Sequence, residues 1–200
     1  DPLWSRGLGD VYKRQDVTAE VTPHHLLLTD ELVRGYDARY KVNPPLRREE
    51  DVLAVREGLA DGTIDIVATD HAPHPSEHKS CEWQAAANGM VGLESALRVV
   101  HQSMVQTGLI GWEDVARVMS AAPARIGRLS GHGLPLETGA PAQITLYDPS
   151  VAGVFTESDL HGRSVNSPYL GRDLPGRVEF TVHRGVLTVD GADVVEELNA

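Results

Sequence analysis

The run Ile64-Asp65-Ile66-Val67-Ala68-Thr69-Asp70-His71-Ala72-Pro73-His74 decides how the fold is read. Its first half is short, apolar and β-branched, as expected of a strand buried on both faces. Ahead of it, residues 49–61 set Val52, Val55 and Leu59 among charges at helical spacing, and Gly62 is the expected stop. A helix feeding a buried strand is the repeating unit of a parallel α/β fold. In a β/α barrel the strand C-termini face the active site, so Asp70 with imidazoles one and four residues later suits metal or acid–base chemistry. Asp and His are also common caps and turn formers, and these residues alone leave both readings open.

Working outward, Val17-Thr18-Ala19-Glu20-Val21-Thr22 alternates and reads as a strand ended by Pro23, with His24 and His25 just beyond. Adjacent residues on a strand point to opposite faces, so these two histidines suit a supporting role better than joint chelation. In Lys41-Val42-Asn43-Pro44-Pro45-Leu46-Arg47, Pro44 favours an extended Asn43 and the paired prolines stiffen the segment. From His71 to Met90 the chain is rich in Pro, His, Ser and Glu without periodicity, a long loop of the kind that is usually functional. Gly92 to Gly108 predicts an amphipathic helix with Leu93, Leu97, Val100 and Met104 on one face. Trp112 to Leu129 predicts a second helical region, interrupted at Pro123, which could start a further helix at its first turn. Beyond Gly131, β-rich runs at 144–147, 178–182 and 186–189 alternate with Gly and Pro turns, as in a small all-β module.

Composition removes several function classes. A formal net charge of -11 argues against a nucleic-acid partner, whose phosphates need a basic face, and disfavours an anionic membrane surface. No apolar run nears the roughly 18 residues that span a bilayer, and no signal-peptide pattern opens the chain. The single cysteine, Cys81, cannot form an internal disulfide and fits a reducing compartment, so a cytoplasmic location is expected. The run Asp70, His74, His78 and Cys81 lacks the ligand spacing of a structural zinc site. His101, His132, His161 and His183 have no partners visible in the sequence and read as surface or packing residues. Residues 10–15 (Asp-Val-Tyr-Lys-Arg-Gln) are what GATGTGTATAAGAGACAG encodes, which resembles a sequencing-library transposon end. Residues 1–15 are therefore read as a non-native leader.

Five segments in order carry a resemblance: Glu20–Leu26 (EVTPHHL), Asn43–Arg47 (NPPLR), Asp61–Asp65 (DGTID), Ala68–His74 (ATDHAPH) and Gly89–Glu94 (GMVGLE). With the tail Asn166-Ser167-Pro168-Tyr169 and the run Gly185–Gly191, they resemble the dihydroorotase family of the amidohydrolase superfamily, in its bacterial multifunctional-type branch. The resemblance implies an α/β fold: the C-terminal part of a metal-dependent hydrolase (β/α)8 barrel with a small β-sandwich-like module, truncated. Residues 16–130 would be the barrel part and 131–200 the β module. It implies Asp70 as both metal ligand and catalytic acid/base, Asn43 and His74 as substrate-binding residues, and Asn88 and Gly89 as a backbone contact to the ring. Position 88 departs from branches that carry an aromatic residue there. The implied cofactor is Zn2+, one or two ions per site, and the implied reaction interconverts N-carbamoyl-L-aspartate and L-dihydroorotate in pyrimidine biosynthesis.

The His-x-His pair, the mid-barrel carboxylate and two further histidines of the family are not recognisable in this sequence. One carboxylate cannot hold a catalytic zinc, which takes about three protein ligands, so the chain as written is expected to be inactive. Alternatives stay open. A hydantoinase or allantoinase shares the fold and cyclic-amide chemistry, and a non-catalytic dihydroorotase-like subunit would scaffold aspartate transcarbamoylase. Beyond a small-molecule substrate, self-association or aspartate transcarbamoylase is the expected partner.

Overall fold

The structure, a computed structural model, describes residues 17–191 and 193–195. The proposed leader lies outside the described residues. Strand β1 (Glu20–Val21) pairs in parallel with β2 (Ile66–Val67), Glu20 opposite Ile66 and Val21 opposite Val67. Both are shorter than their apolar runs predict. Pro23 turns the chain into a 3-10 turn, Pro23–Leu26, capped by the Thr22 hydroxyl, which accepts the His25 N–H at 3.3 Å. Among the described residues the β1–β2 ladder ends at Ala68, whose N–H reaches Val21 O at 3.0 Å, so β2 is not extended toward Asp70.

Helix α1 (Glu49–Asp61) precedes β2 as the sequence predicts. Glu49, Glu50 and Asp51 favour its N-terminal dipole, and it stops at Gly62, whose φ of 87° only glycine adopts at little cost. Val52 and Leu59 are buried and Val55 half-buried. Each fully buried side chain of this size contributes about 1.5–3 kcal/mol. Arg56 Nε ties the helix to Leu26 O at 2.7 Å.

The stretch from His71 to Met90 is not wholly irregular: a single turn, α2 (Ser76–Lys79), interrupts it. Helix α3 (Leu93–Val100) continues through a π turn, His101–Val105. It lies between two cores. Val100 and Met104 join Val21, Leu26, Leu59, Val67 and Val118, while Val99 joins Leu28, Val42, Met90, Phe155 and Tyr169. A helix gripped from two sides buries more than one stripe, so the expected face is only partly right: Leu93, in the first turn, is 59% exposed.

Pro123 does not break the second helical region. Helix α4 (Trp112–Ala116) passes through a π turn, Arg117–Ala121, directly into α5 (Ala122–Ile126), where Pro123 occupies a first-turn position. Proline lacks the N–H an interior α-helical turn needs, and the wider preceding turn relieves that demand.

Beyond Gly131, β3 (Ile144–Val154), β4 (Asp173–His183), β5 (Val186–Asp190) and β6 (Asp193–Val194) form one antiparallel sheet in the order 3-4-5-6. Arg98 of α3 pins it: Nη2 donates to Gly153 O (2.9 Å) and Leu174 O (2.6 Å), and the guanidinium lies over the Phe155 ring. The connection between β3 and β4 returns to the α/β part, since Phe155, Tyr169 and Leu174 complete its second core. No helix among the described residues is long and apolar enough to cross a membrane.

Candidate active site

Three residues past β2, Asp70 adopts φ 48°, a left-handed conformation that Asp tolerates better than most residues. Its side chain is exposed and makes no hydrogen bond or ion pair among the described residues. The turn it makes brings His71 alongside Met90, with Ala72 N donating to Met90 O at 2.9 Å. His71 does not accompany Asp70 as a ligand. Its Nδ1 accepts the N–H groups of Gly92 (3.1 Å) and Leu93 (3.4 Å), satisfying orphan donors at the start of α3. A histidine in a capping role is rare enough that the sequence gives no signal for it.

His74 is half-buried and held at both ends. Its backbone N–H donates to Asn166 Oδ1 at 3.1 Å, and its Nε2 donates to the Asn88 carbonyl at 2.8 Å. A carbonyl only accepts, so Nε2 carries the proton. Gly89 beside it has φ 121°, and a Cβ there would stand 2.5 Å from Ala72 Cβ and 3.2 Å from His74 Nε2. The backbone of this pair is largely committed: Asn88 O to His74, Gly89 N to Lys41 O at 2.8 Å, and Gly89 O to Lys79 Nζ at 2.8 Å. The Asn88 N–H is the group of the pair left without a partner among the described residues.

Asn43 lies two residues beyond the Lys41 carbonyl that receives Gly89. It is exposed and precedes a cis peptide bond to Pro44. His25 supports this segment, although it and His24 lie in the 3-10 turn Pro23–Leu26 and not on a strand with opposite faces. Its Nε2 reaches Pro44 O (3.1 Å) and Pro45 O (3.3 Å), while Nδ1 meets the Thr22 hydroxyl at 2.7 Å. His24 is buried, with Nε2 unpartnered, and burial followed by the neighbouring His25 lowers its pKa to about 3. The two rings pack 4.6 Å apart, and both His25 ring nitrogens are already engaged.

Asn166 and the two lysines are the site residues whose roles sequence reasoning missed. Asn166 Nδ2 donates to Ala72 O (3.0 Å) and Gly89 O (3.4 Å), so one buried amide from the β3–β4 connection joins both loops of the site. The only signal in the sequence was its place in the Asn166–Tyr169 tail.

The side chains around Asp70 supply only part of what a divalent metal needs. Asp70 offers an unspent hard oxygen at a strand end, which suits zinc as one ligand. Among the described residues no group of three or more His, Cys, Asp or Glu could hold a metal ion, and Cys81 is an exposed thiol facing His78 O. A hollow of about 1060 Å3 lies between α5 and the antiparallel sheet and includes none of the candidate residues.

Comparison with known proteins gives the same region a context. The chain is 72% identical over 178 residues to the dihydroorotase of Leifsonia xyli subsp. xyli, covering 88% of this chain and 41% of that protein. It is 64% identical over 177 residues to the dihydroorotase of Streptomyces coelicolor, with the same coverage. The chain thus spans about two fifths of the length of the curated relatives it matches. Among solved structures, an L-hydantoinase (dihydropyrimidinase) from Arthrobacter aurescens superposes with a TM-score of 0.81 at 29% identity, covering 94% of this chain and 42% of its own. A D-hydantoinase from Thermus sp. gives 0.83 at 23% identity, covering 95% and 43%, a likeness of fold alone. No family model matches the chain. The architecture is accordingly a portion of an amidohydrolase β/α barrel with an antiparallel β module, as the sequence suggested.

Proposed function

Because the chain belongs to the dihydroorotase family over the stretch it shares with these relatives, we propose that it forms one wall of a zinc-dependent cyclic-amide hydrolase site. The reaction is the reversible closure of N-carbamoyl-L-aspartate to L-dihydroorotate. The observation that carries this reading is Asp70: a carboxylate just past a parallel strand, in a left-handed turn, with its oxygens committed to nothing among the described residues. Structural aspartates at turns ordinarily spend their oxygens on nearby N–H groups, as Asp61 does on Thr63 N at 2.8 Å.

Asp70 serves as one metal ligand and as the group that takes a proton from the attacking water and returns it to the departing ring nitrogen. Zinc, when bound, supplies Lewis acidity and lowers the pKa of a water; its remaining ligands come from outside the described residues. Asn43 can donate to and accept from a cyclic ureide at once. His74 presents Nδ1, since Nε2 is spent on Asn88 O. The Asn88–Gly89 contact to the ring falls to the Asn88 N–H, and the side chain of Gly89 is absent where Ala72 and His74 close in. Self-association or docking with aspartate transcarbamoylase belongs to the whole protein.

The test is a graft. Residues of this chain replace the 178 they match in the Leifsonia xyli protein, and ring opening of dihydroorotate, hydantoin and allantoin is followed with zinc present. Turnover of dihydroorotate well above the other two is expected, while the 200-residue chain alone with zinc stays silent. A graft that folds and prefers hydantoin or allantoin overturns the substrate assignment. Turnover by the chain alone overturns the shared ligand set.

A further inference from the structure

The chain has three lysines, Lys13, Lys41 and Lys79, and the two within the described residues both turn onto one loop. Lys41 Nζ donates to the carbonyls of Trp83 (2.7 Å), Gln84 (3.2 Å) and Ala86 (2.6 Å). Lys79 Nζ donates to Ala87 O (2.9 Å), Gly89 O (2.8 Å) and, more weakly, Lys41 O (3.5 Å). An ammonium has three donors, and each lysine spends all of them on main-chain oxygens.

Lys79 is the less expected of the two. It is buried, with 8% of its surface exposed, and no carboxylate pairs with it among the described residues. Burying an unpaired cation costs several kcal/mol, and an apolar side chain would fill the space at less expense. Carbonyl dipoles offset that cost only if the main chain is turned inward to supply them. The fold of the loop therefore follows from the charge. Between Ala86 and Gly89, three carbonyls point at ammonium groups, and the remaining one, that of Asn88, turns the other way and meets His74 Nε2 at 2.8 Å.

We propose that Lys79 is a positioning residue for His74: by holding the carbonyls on both sides of Asn88, it aims the Asn88 carbonyl at Nε2 and locks the imidazole in the tautomer that presents Nδ1 to the substrate. The part of this that concerns substrate rests on the dihydroorotase reading; the part that concerns the tautomer does not. Burial and the like charge of Lys41 lower Lys79 to about 8, with Asp37 opposing, so the charge that organises the loop is present at neutral pH.

Two measurements separate the parts. In the 200-residue chain with 15N-labelled histidine, the His74 nitrogens above the pKa of the ring should show one protonated Nε2 and one bare Nδ1. Lys79→Met should convert this to a tautomer mixture and speed amide exchange at Gly89, while Lys79→Arg, which keeps charge and donors, should preserve both. If Lys79→Met fails to fold, Lys79→Gln is read by the same two criteria. An unchanged His74 spectrum and unchanged Gly89 exchange in the neutral variants would overturn the proposal. In the graft, Lys79→Met should lower kcat/KM by about 100-fold, the scale of a small misplacement at a reacting centre, with Lys79→Arg recovering most of it. His74→Ala combined with Lys79→Met should lose no more than His74→Ala alone; losses that multiply would refute action through His74. A graft inactive on dihydroorotate sinks the functional reading and leaves the tautomer measurement standing.

Discussion

The side-chain oxygen of Asn166 accepts the backbone N–H of His74 at 3.1 Å across 92 residues of chain, fastening the β3–β4 connection to the loop that follows Asp70. Its amide nitrogen meanwhile reaches Ala72 O and Gly89 O, so three main-chain groups depend on one buried side chain. Asn166→Ala should destabilise the chain by about 3 kcal/mol, because buried groups left unpaired carry their desolvation cost. Asn166→Asp should be no better, since it keeps the acceptor but sets carboxylate oxygen against two carbonyls. Urea unfolding measures both, and a change of less than about 0.5 kcal/mol for either would contradict the bracing role.

Asp70→Asn separates stability from activity. The carboxylate is exposed and has no partner among the described residues, and Asn tolerates the same left-handed turn, so the urea midpoint of the chain should not move. Activity of the graft should fall by at least about 1000-fold, within the range for loss of a general acid–base group. A comparable loss of folding stability would instead make Asp70 a structural turn residue.

Gly89→Ala should injure the site out of proportion to its size. The φ of 121° disfavours any L side chain, and the new methyl would meet Ala72 Cβ at 2.5 Å and His74 Nε2 at 3.2 Å. Relief requires moving the Ala72–His74 segment. KM of the graft for dihydroorotate should rise by about 10-fold or more, and the His74 ring resonances of the isolated chain should shift. Wild-type values for both would mean the loop yields elsewhere.

Acid should expose His24. Its pKa in the fold is about 3 against an ordinary value near 6.5, because burial, and then His25, disfavour the imidazolium. A depressed folded pKa gives stability that is complete above about pH 6.5 and lost as pH falls toward 3. By pH 4 this group alone should cost about 3 kcal/mol. His24→Leu should flatten the fall in unfolding free energy between pH 7 and 4, and equal slopes for parent and variant would count against the assignment.

The sequence carried the parts of this protein that obey local rules. Helical spacing at Val52, Val55 and Leu59 with Gly62 behind them fixed α1 to the residue, because side-chain periodicity and a left-handed stop act within one element. The parallel strand ahead of Asp70 was likewise readable from order and spacing, although it is only Ile66–Val67 and Val67 alone of residues 64–69 is buried. What the chain does with those residues was settled in three dimensions. Leu93 fell outside the core because α3 is held between two clusters contributed by distant segments. His71 became a helix cap, and His25 a brace for the prolines, through main-chain groups up to about twenty residues away. Asn166 and Lys79 show no local pattern at all: their importance comes from carbonyl and amide groups that only tertiary packing brings within 3 Å or so, and hydrogen bonds of that reach leave no period in a sequence.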